Sequence, residues 1–228
     1  MRFTILVALA TIVSHLGFAQ NMNDSPKKYL ALGDSYTIGE SVPEADSWPV
    51  QLVERLRKDD ITIKDPSIVA TTGWTTDELQ NALQRVRLDG SFDLVSLLIG
   101  VNNQYRAYTI ETYRKQFEEL LDQAIALADG DPDRVFVVSI PDYGVTAFAK
   151  NKNLDAAKIG KELDAYNAIA QEICASQEVT FFDITKWSRK AAKKPELIAE
   201  DGLHPSGIMY KNWVDTCYKW VCQTLKDQ

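Results

Sequence analysis

Histidine is nearly absent from this chain. Its 228 residues hold two, His15 and His204. A site built from several imidazoles, such as a His-rich zinc centre, is therefore excluded. Cysteine is scarce as well: Cys174, Cys217 and Cys222 are present, with no Cys-x-x-Cys or Cys/His metal spacing. That is too few for a disulfide-dense scaffold. Cys217 and Cys222 lie five apart in an expected helix, on different faces, so a bridge between them would break it. All three read as small core residues. Positive charge is also in short supply, with 25 Lys+Arg against 32 Asp+Glu and a net charge of −7. A nucleic-acid surface needs clustered cations. The small groups Lys27-Lys28, Arg55-Arg57-Lys58 and Lys190/Lys193/Lys194 read as solvated helix ends and loops, so nucleic acid is not an expected partner. With 11 Gly, 8 Pro and 45% hydrophobic residues, the composition is neither collagen-like nor disordered.

An apolar run long enough to span a bilayer is missing too. Thr4 to Phe18 is almost wholly apolar, but a span needs roughly 20 such residues. Arg2 precedes the run, and Gly17-Phe18-Ala19 puts small residues at −3 and −1 of a cut before Gln20. These are the parts of a secretory signal peptide. No cysteine follows that would carry a lipid. The expectation is a leader over residues 1–19, one domain over 20–228, and export to the periplasm or the medium without stable membrane insertion. Once His15 leaves with the leader, His204 is the remaining imidazole.

Apolar runs alternate with segments of helical period. Strands are expected at Tyr29–Gly33, within Ile61–Ala70, and at Asp93–Ile99, Arg134–Ile140 and Val179–Ile184. Helices are expected at Trp48–Lys58, Thr75–Leu88, Thr109–Ala128, Asp155–Ser176 and Ser206–Leu225. Runs such as Val-Phe-Val-Val suit strands buried on both faces. Strand–helix alternation implies a parallel sheet with helices on both sides, a three-layer α/β/α sandwich. In such a sheet ligands bind at the carboxyl ends of the strands. The chemistry is therefore sought in Gly33-Asp34-Ser35, Thr72-Gly73-Trp74, Gly100-Val101-Asn102-Asn103, Pro141-Asp142-Tyr143-Gly144 and Asp201-Gly202-Leu203-His204.

A neutral base working near pH 7 has to be His204, or a carboxylate or lysine whose pKa is strongly shifted. Asp201 lies three residues before it, and a turn at Gly202 can bring the carboxylate to Nδ1. Pro205 suits the first position of the following helix. Ser35 directly follows the first strand, where its hydroxyl is exposed and its own N–H can face a developing oxyanion. Gly33 allows close backbone approach. Gly73 leaves an N–H unobstructed, and Asn102 offers an uncharged amide donor. Taken singly, each of these is also an ordinary cap or turn residue.

Together, in this order, the Gly-Asp-Ser block, Gly73, Gly-x-Asn and Asp-x-x-His resemble the GDSL, or SGNH, hydrolases over essentially the whole chain after the leader. The resemblance implies a flavodoxin-like, five-stranded parallel sheet and a serine esterase needing no cofactor or metal. It implies Ser35 as nucleophile, His204 as base and Asp201 as its orienting carboxylate. It implies the N–H groups of Ser35 and Gly73 and the side chain of Asn102 as oxyanion donors. The family often has Asp after the oxyanion Asn; Asn103 stands here, which puts the hydrogen bonding of that loop in question. The motif is not the Gly-x-Ser-x-Gly elbow of α/β-hydrolases.

Trp74, Tyr105, Tyr108, Tyr143 and Phe148 sit in or beside these loops. They either wall an acyl or sugar pocket or cover the sheet's edge. The expected partner is a small-molecule or glycan ester, with short acyl groups favoured. Lysophospholipase or thioesterase action on longer chains is the alternative, as is a non-catalytic glycan- or lipid-binding protein on the same fold. A flavodoxin-like electron carrier would need a Ser/Thr/Gly-rich phosphate loop after the first strand, where Asp34 and Glu40 stand instead.

Overall fold

A computed structural model describes residues 25–228; the expected leader, residues 1–19, lies outside the described residues. Strands β1 (Tyr29–Gly33), β2 (Ser67–Ala70), β3 (Leu94–Leu98), β4 (Val135–Val138) and β5 (Thr180–Phe182) form one parallel sheet in the order β2-β1-β3-β4-β5. Every residue of β1, β3 and β4 is buried. This is why these segments read as apolar runs without alternation: helices cover both faces of the sheet.

Four long helices match the expected periodic segments: α2 (Trp48–Lys58), α5 (Ile110–Leu127), α7 (Ala156–Ser176) and α9 (Gly207–Lys226). The shorter ones are α1 (Ser35–Ile38), α3 (Thr76–Leu83), α4 (Val101–Tyr105), α6 (Ala147–Asn151) and α8 (Thr185–Lys190). α2 packs on α9, while α3, α5 and α7 pack in series, making the two outer layers. The largest fully buried side chains, Trp48 of α2 and Trp213 of α9, belong to the first of these layers. Among the described residues no helix is long and apolar enough to cross a membrane. Cys174 and Cys217 are buried and Cys222 is half-buried; none is paired. Only the first two are core residues in the expected sense.

The departures from the expected elements have local causes. β2 is confined to Ser67–Ala70 because Pro66, lacking an N–H, interrupts the ladder. Before it, Ile61 and Ile63 are buried and Ile63 makes an isolated parallel bridge to Lys27. α3 stops at Leu83 rather than Leu88: Arg85 N–H closes a tight bond to the Ala82 carbonyl at 3.0 Å, and Val86 is left exposed. Pro205 does not open α9. It forms an antiparallel bridge with Ile198, and Ser206 caps the helix, its Oγ accepting from Met209 N–H at 3.4 Å.

Sequence order takes the chain from β1 outward to β2, then across to β3 on β1's other side. The crevice at this reversal opens between the carboxyl ends of β1 and β3. Ser35 follows β1 and Asn102 follows β3, so both stand at its mouth.

Candidate active site

Ser35 is the first residue of α1, so its N–H has no intrahelical acceptor. Asp34 caps the helix, its Oδ1 accepting from Tyr36 N–H at 3.0 Å. Gly33 is dictated by space: a Cβ there would lie 2.1 Å from Thr37 Oγ1 and 2.5 Å from the Leu98 carbonyl. A side chain would therefore push β1 away from β3 just before the serine. Asp34 is fully buried, and burial lifts its carboxyl to about 7 despite the lowering hydrogen bond from Tyr36 N–H. Its second oxygen has no hydrogen-bond partner.

The Asp201–His204 segment is a tight turn, and Gly202 takes the φ of +73° that L side chains rarely adopt. Asp201 Oδ1 accepts from Leu203 N–H at 2.9 Å and His204 N–H at 3.0 Å. Its Oδ2 meets His204 Nδ1 at 2.5 Å and accepts from Ser41 Oγ at 2.8 Å. Partial burial tends to raise this carboxyl. The bonds from His204, the two backbone N–H groups and Ser41 outweigh it and bring the pKa down to about 2. An ionised carboxylate at Nδ1 fixes the proton there and leaves Nε2 free to accept.

Ser35, Gly73, Asn102 and His204 all line one cavity of about 170 Å³. Ser35 and His204 are both buried, and Ser35 Oγ makes no hydrogen bond to the ring in this structure. Catalytic bonds of this kind commonly tighten only with substrate present. Asn102 is braced: its Nδ2 donates to the Trp74 carbonyl at 2.9 Å, leaving a second N–H for another acceptor. The Gly73 carbonyl accepts from Arg106 at 2.6 Å, and Arg106 is also paired with Glu78.

Asn103 answers the question its position raised. It is fully buried; its Oδ1 accepts from Thr76 N–H at 3.0 Å and its Nδ2 donates to Thr76 Oγ1 at 2.6 Å. Thr76 Oγ1 in turn donates to Gln116. An amide suits this site because it supplies both a donor and an acceptor.

Tyr105, Tyr143 and Phe148 form an aromatic wall, with ring centroids 6.1–6.5 Å apart. Trp74 is a correction: it does not line the cavity. It packs half-buried on the core, and its contribution to the site is the carbonyl that braces Asn102. Tyr36, Thr72, Val101 and Leu203 complete the lining. Tyr36 meets the His204 ring edge-on with centroids 5.7 Å apart. Its place directly after Ser35 was the available signal. Ser41 carried none, because 160 residues of sequence separate it from the carboxylate it touches. Among the described residues no three His, Cys, Asp or Glu side chains group as metal ligands.

Comparison with known proteins places the chain in a family and a fold. Residues 31–211 match the model of the GDSL-like lipase/acylhydrolase family. An arylesterase from Vibrio mimicus is 26% identical over 188 residues, covering 80% of this chain and 82% of the relative. The acetylxylan esterase Axe2 from Geobacillus stearothermophilus superposes with a TM-score of 0.65 at 18% identity, over 86% of this chain and 94% of that one. TesA superposes with a TM-score of 0.68 at 14% identity, over 87% and 99%. The match runs from within β1 through every site loop, and the chain belongs to the GDSL-like lipase/acylhydrolase family of hydrolases.

Proposed function

We propose that this hydrolase cleaves short-acyl carboxylic esters through Ser35, His204 and Asp201, with the N–H groups of Ser35 and Gly73 and the amide of Asn102 receiving the oxyanion. The observation that carries the reading is the shared cavity: a serine, an imidazole and two candidate donors face one small space, and a carboxylate holds the far side of that imidazole.

The chemistry follows from these groups. Ser35 Oγ attacks the ester carbonyl carbon while His204 Nε2 takes its proton. The carbonyl oxygen becomes an oxyanion facing the three donors. As the carbonyl re-forms, the bond to the alcohol oxygen breaks, and His204 returns the proton to that oxygen. Water then attacks the acyl-serine with His204 again as base, releasing the carboxylic acid and restoring the hydroxyl. Asp201 keeps its charge throughout and stabilises the imidazolium. None of these steps calls for a cofactor.

The cavity volume favours a small acyl group. Drug-sized ligands occupy roughly 300–1,000 Å³, well above the 170 Å³ here. The N-terminal pattern of one charge, an apolar run and small residues supports action outside the cytoplasm after removal of residues 1–19, with residues 20–228 as a single domain. The test is a series of p-nitrophenyl esters from acetyl to palmitoyl. The reading expects kcat/KM to be highest for acetyl or propionyl and to fall with length. A maximum at decanoyl or longer contradicts it.

A further inference from the structure

A second, larger hollow adjoins the cavity. Its volume is about 740 Å³, and it lies between the end of α4, the start of α5 and the first half of α7. Tyr105 and Tyr143 line both spaces, so they form the sill between them. Tyr143 is pinned in the sill: its Oη donates to Gln104 Oε1 at 2.9 Å, and Gln104 Nε2 donates to Glu162 at 2.7 Å. Beyond it the hollow offers two kinds of surface. Tyr105, half exposed, and Tyr108 present aromatic rings. Around them stand Asn153, Asp155, Lys158 and Glu162, which supply donors and acceptors of both charge signs.

We propose that this hollow is the binding site for the alcohol half of the ester, and that this alcohol is a sugar. The inference rests on the ester-hydrolase reading above and adds the substrate class. The scissile carbonyl has to sit at Ser35 in the small cavity, so the larger substrate half has to lie where space continues across the sill. An alkyl chain in this hollow would strip water from Asp155, Lys158 and Glu162 and return no hydrogen bonds, which is unfavourable. A sugar ring matches both surfaces. Its C–H face lies on an aromatic ring, and its hydroxyls exchange water for the amide, ammonium and carboxylate groups at the edge. The mixed charges suit a neutral, hydroxyl-rich ligand better than an ion of either sign.

The test compares two acetyl esters that share an acyl group and differ in the alcohol: methyl acetate, whose alcohol is too small to cross the sill, and an O-acetylated disaccharide. Tyr108→Ala and Lys158→Ala remove the ring and the ammonium. Ala165→Trp fills the hollow from an exposed helix position. The expected result is a loss of tenfold or more in kcat/KM on the acetylated disaccharide for each variant, carried mainly by KM. Activity on methyl acetate should stay within about twofold of the parent. Equal effects on both esters, or none on the disaccharide, overturn the proposal, as does a parent enzyme that cleaves methyl acetate but not the sugar ester. If the variants instead change the rate on methyl decanoate alone, the hollow takes the acyl chain and the sugar assignment is wrong. A parent protein inactive on every ester would overturn the underlying reading instead.

Discussion

Asp201 and His204 are three residues apart and joined twice, from side chain to ring at 2.5 Å and from the His204 backbone N–H at 3.0 Å, while the intervening Leu203 N–H donates to the same carboxylate at 2.9 Å. One carboxylate thus shapes the turn and orients the imbedded ring. Asp201→Asn keeps an acceptor for the backbone bonds but can present its amide to Nδ1, favouring the wrong tautomer. The expected loss in kcat is on the order of 10⁴-fold with little change in KM. Steady-state kinetics on a p-nitrophenyl ester checks this; a loss under tenfold would show that the carboxylate does not orient the base.

Asn102→Ala removes the proposed side-chain oxyanion donor and frees the Trp74 carbonyl at the site's edge. Loss of one such donor lowers kcat by about 10²–10³, roughly 3–4 kcal/mol of barrier. The measurement is kcat with an unchanged melting temperature. If kcat stays within threefold, the amide does not face the oxyanion.

Asn103 is predicted to matter for stability rather than for chemistry. Asn103→Leu keeps a side chain of similar size but strands Thr76 N–H in the core. An unsatisfied buried donor costs about 1–3 kcal/mol. Urea unfolding at pH 7 should show that loss. Asn103→Asp still accepts from both Thr76 N–H and the Thr76 hydroxyl, but the hydroxyl can then no longer donate to Gln116. A smaller loss than for Leu is expected.

Two carboxylates give opposite pH slopes. Asp201 titrates at about 2 when folded, against about 3.9 in an unfolded chain. Between these values the unfolded chain binds more protons, so stability falls as pH drops from about 4 to about 2. Asp34 is the reverse, lifted to about 7. The folded state holds its proton longer than the unfolded chain, so its contribution is full below about 4 and is lost as pH rises toward 7. Asp34→Asn keeps a capping oxygen for Tyr36 N–H and should flatten this second slope. Unfolding free energies measured from pH 3 to pH 8 on parent and variant test it; parallel curves would contradict the assignment.

Much of this arrangement could be read before any coordinates. β3 and β4 were legible because burial on both faces leaves uninterrupted Leu and Val. The long helices were legible because α5 and α9 bury one stripe each. Ser35, Gly73 and Asn102 could be listed because topology puts every strand's carboxyl end on one side, and His204 because it is the remaining imidazole, three residues after Asp201. The helices α4, α6 and α8 carry no sequence signal: one or two turns hold too few residues for a period to show. Sequence leaves Trp74 open between pocket wall and cover because its neighbour Gly73 lines the cavity, whereas the indole packs on the core. Ser41 and the Tyr143–Gln104–Glu162 chain were invisible for a different reason. Those bonds close between segments 39 to 160 residues apart, and no local pattern encodes them.

The proposed chemistry requires Ser35 to be an activated nucleophile. A fluorophosphonate probe reports this directly, because it captures a serine only when a base and an oxyanion site act on it together. The prediction is a single adduct on Ser35 by peptide mass spectrometry, absent in Ser35→Ala and strongly slowed in His204→Ala, with ester hydrolysis lost in parallel. An unlabelled Ser35 in an esterase-active preparation, or a Ser35→Ala protein that still hydrolyses esters at near-parental rates, would contradict it.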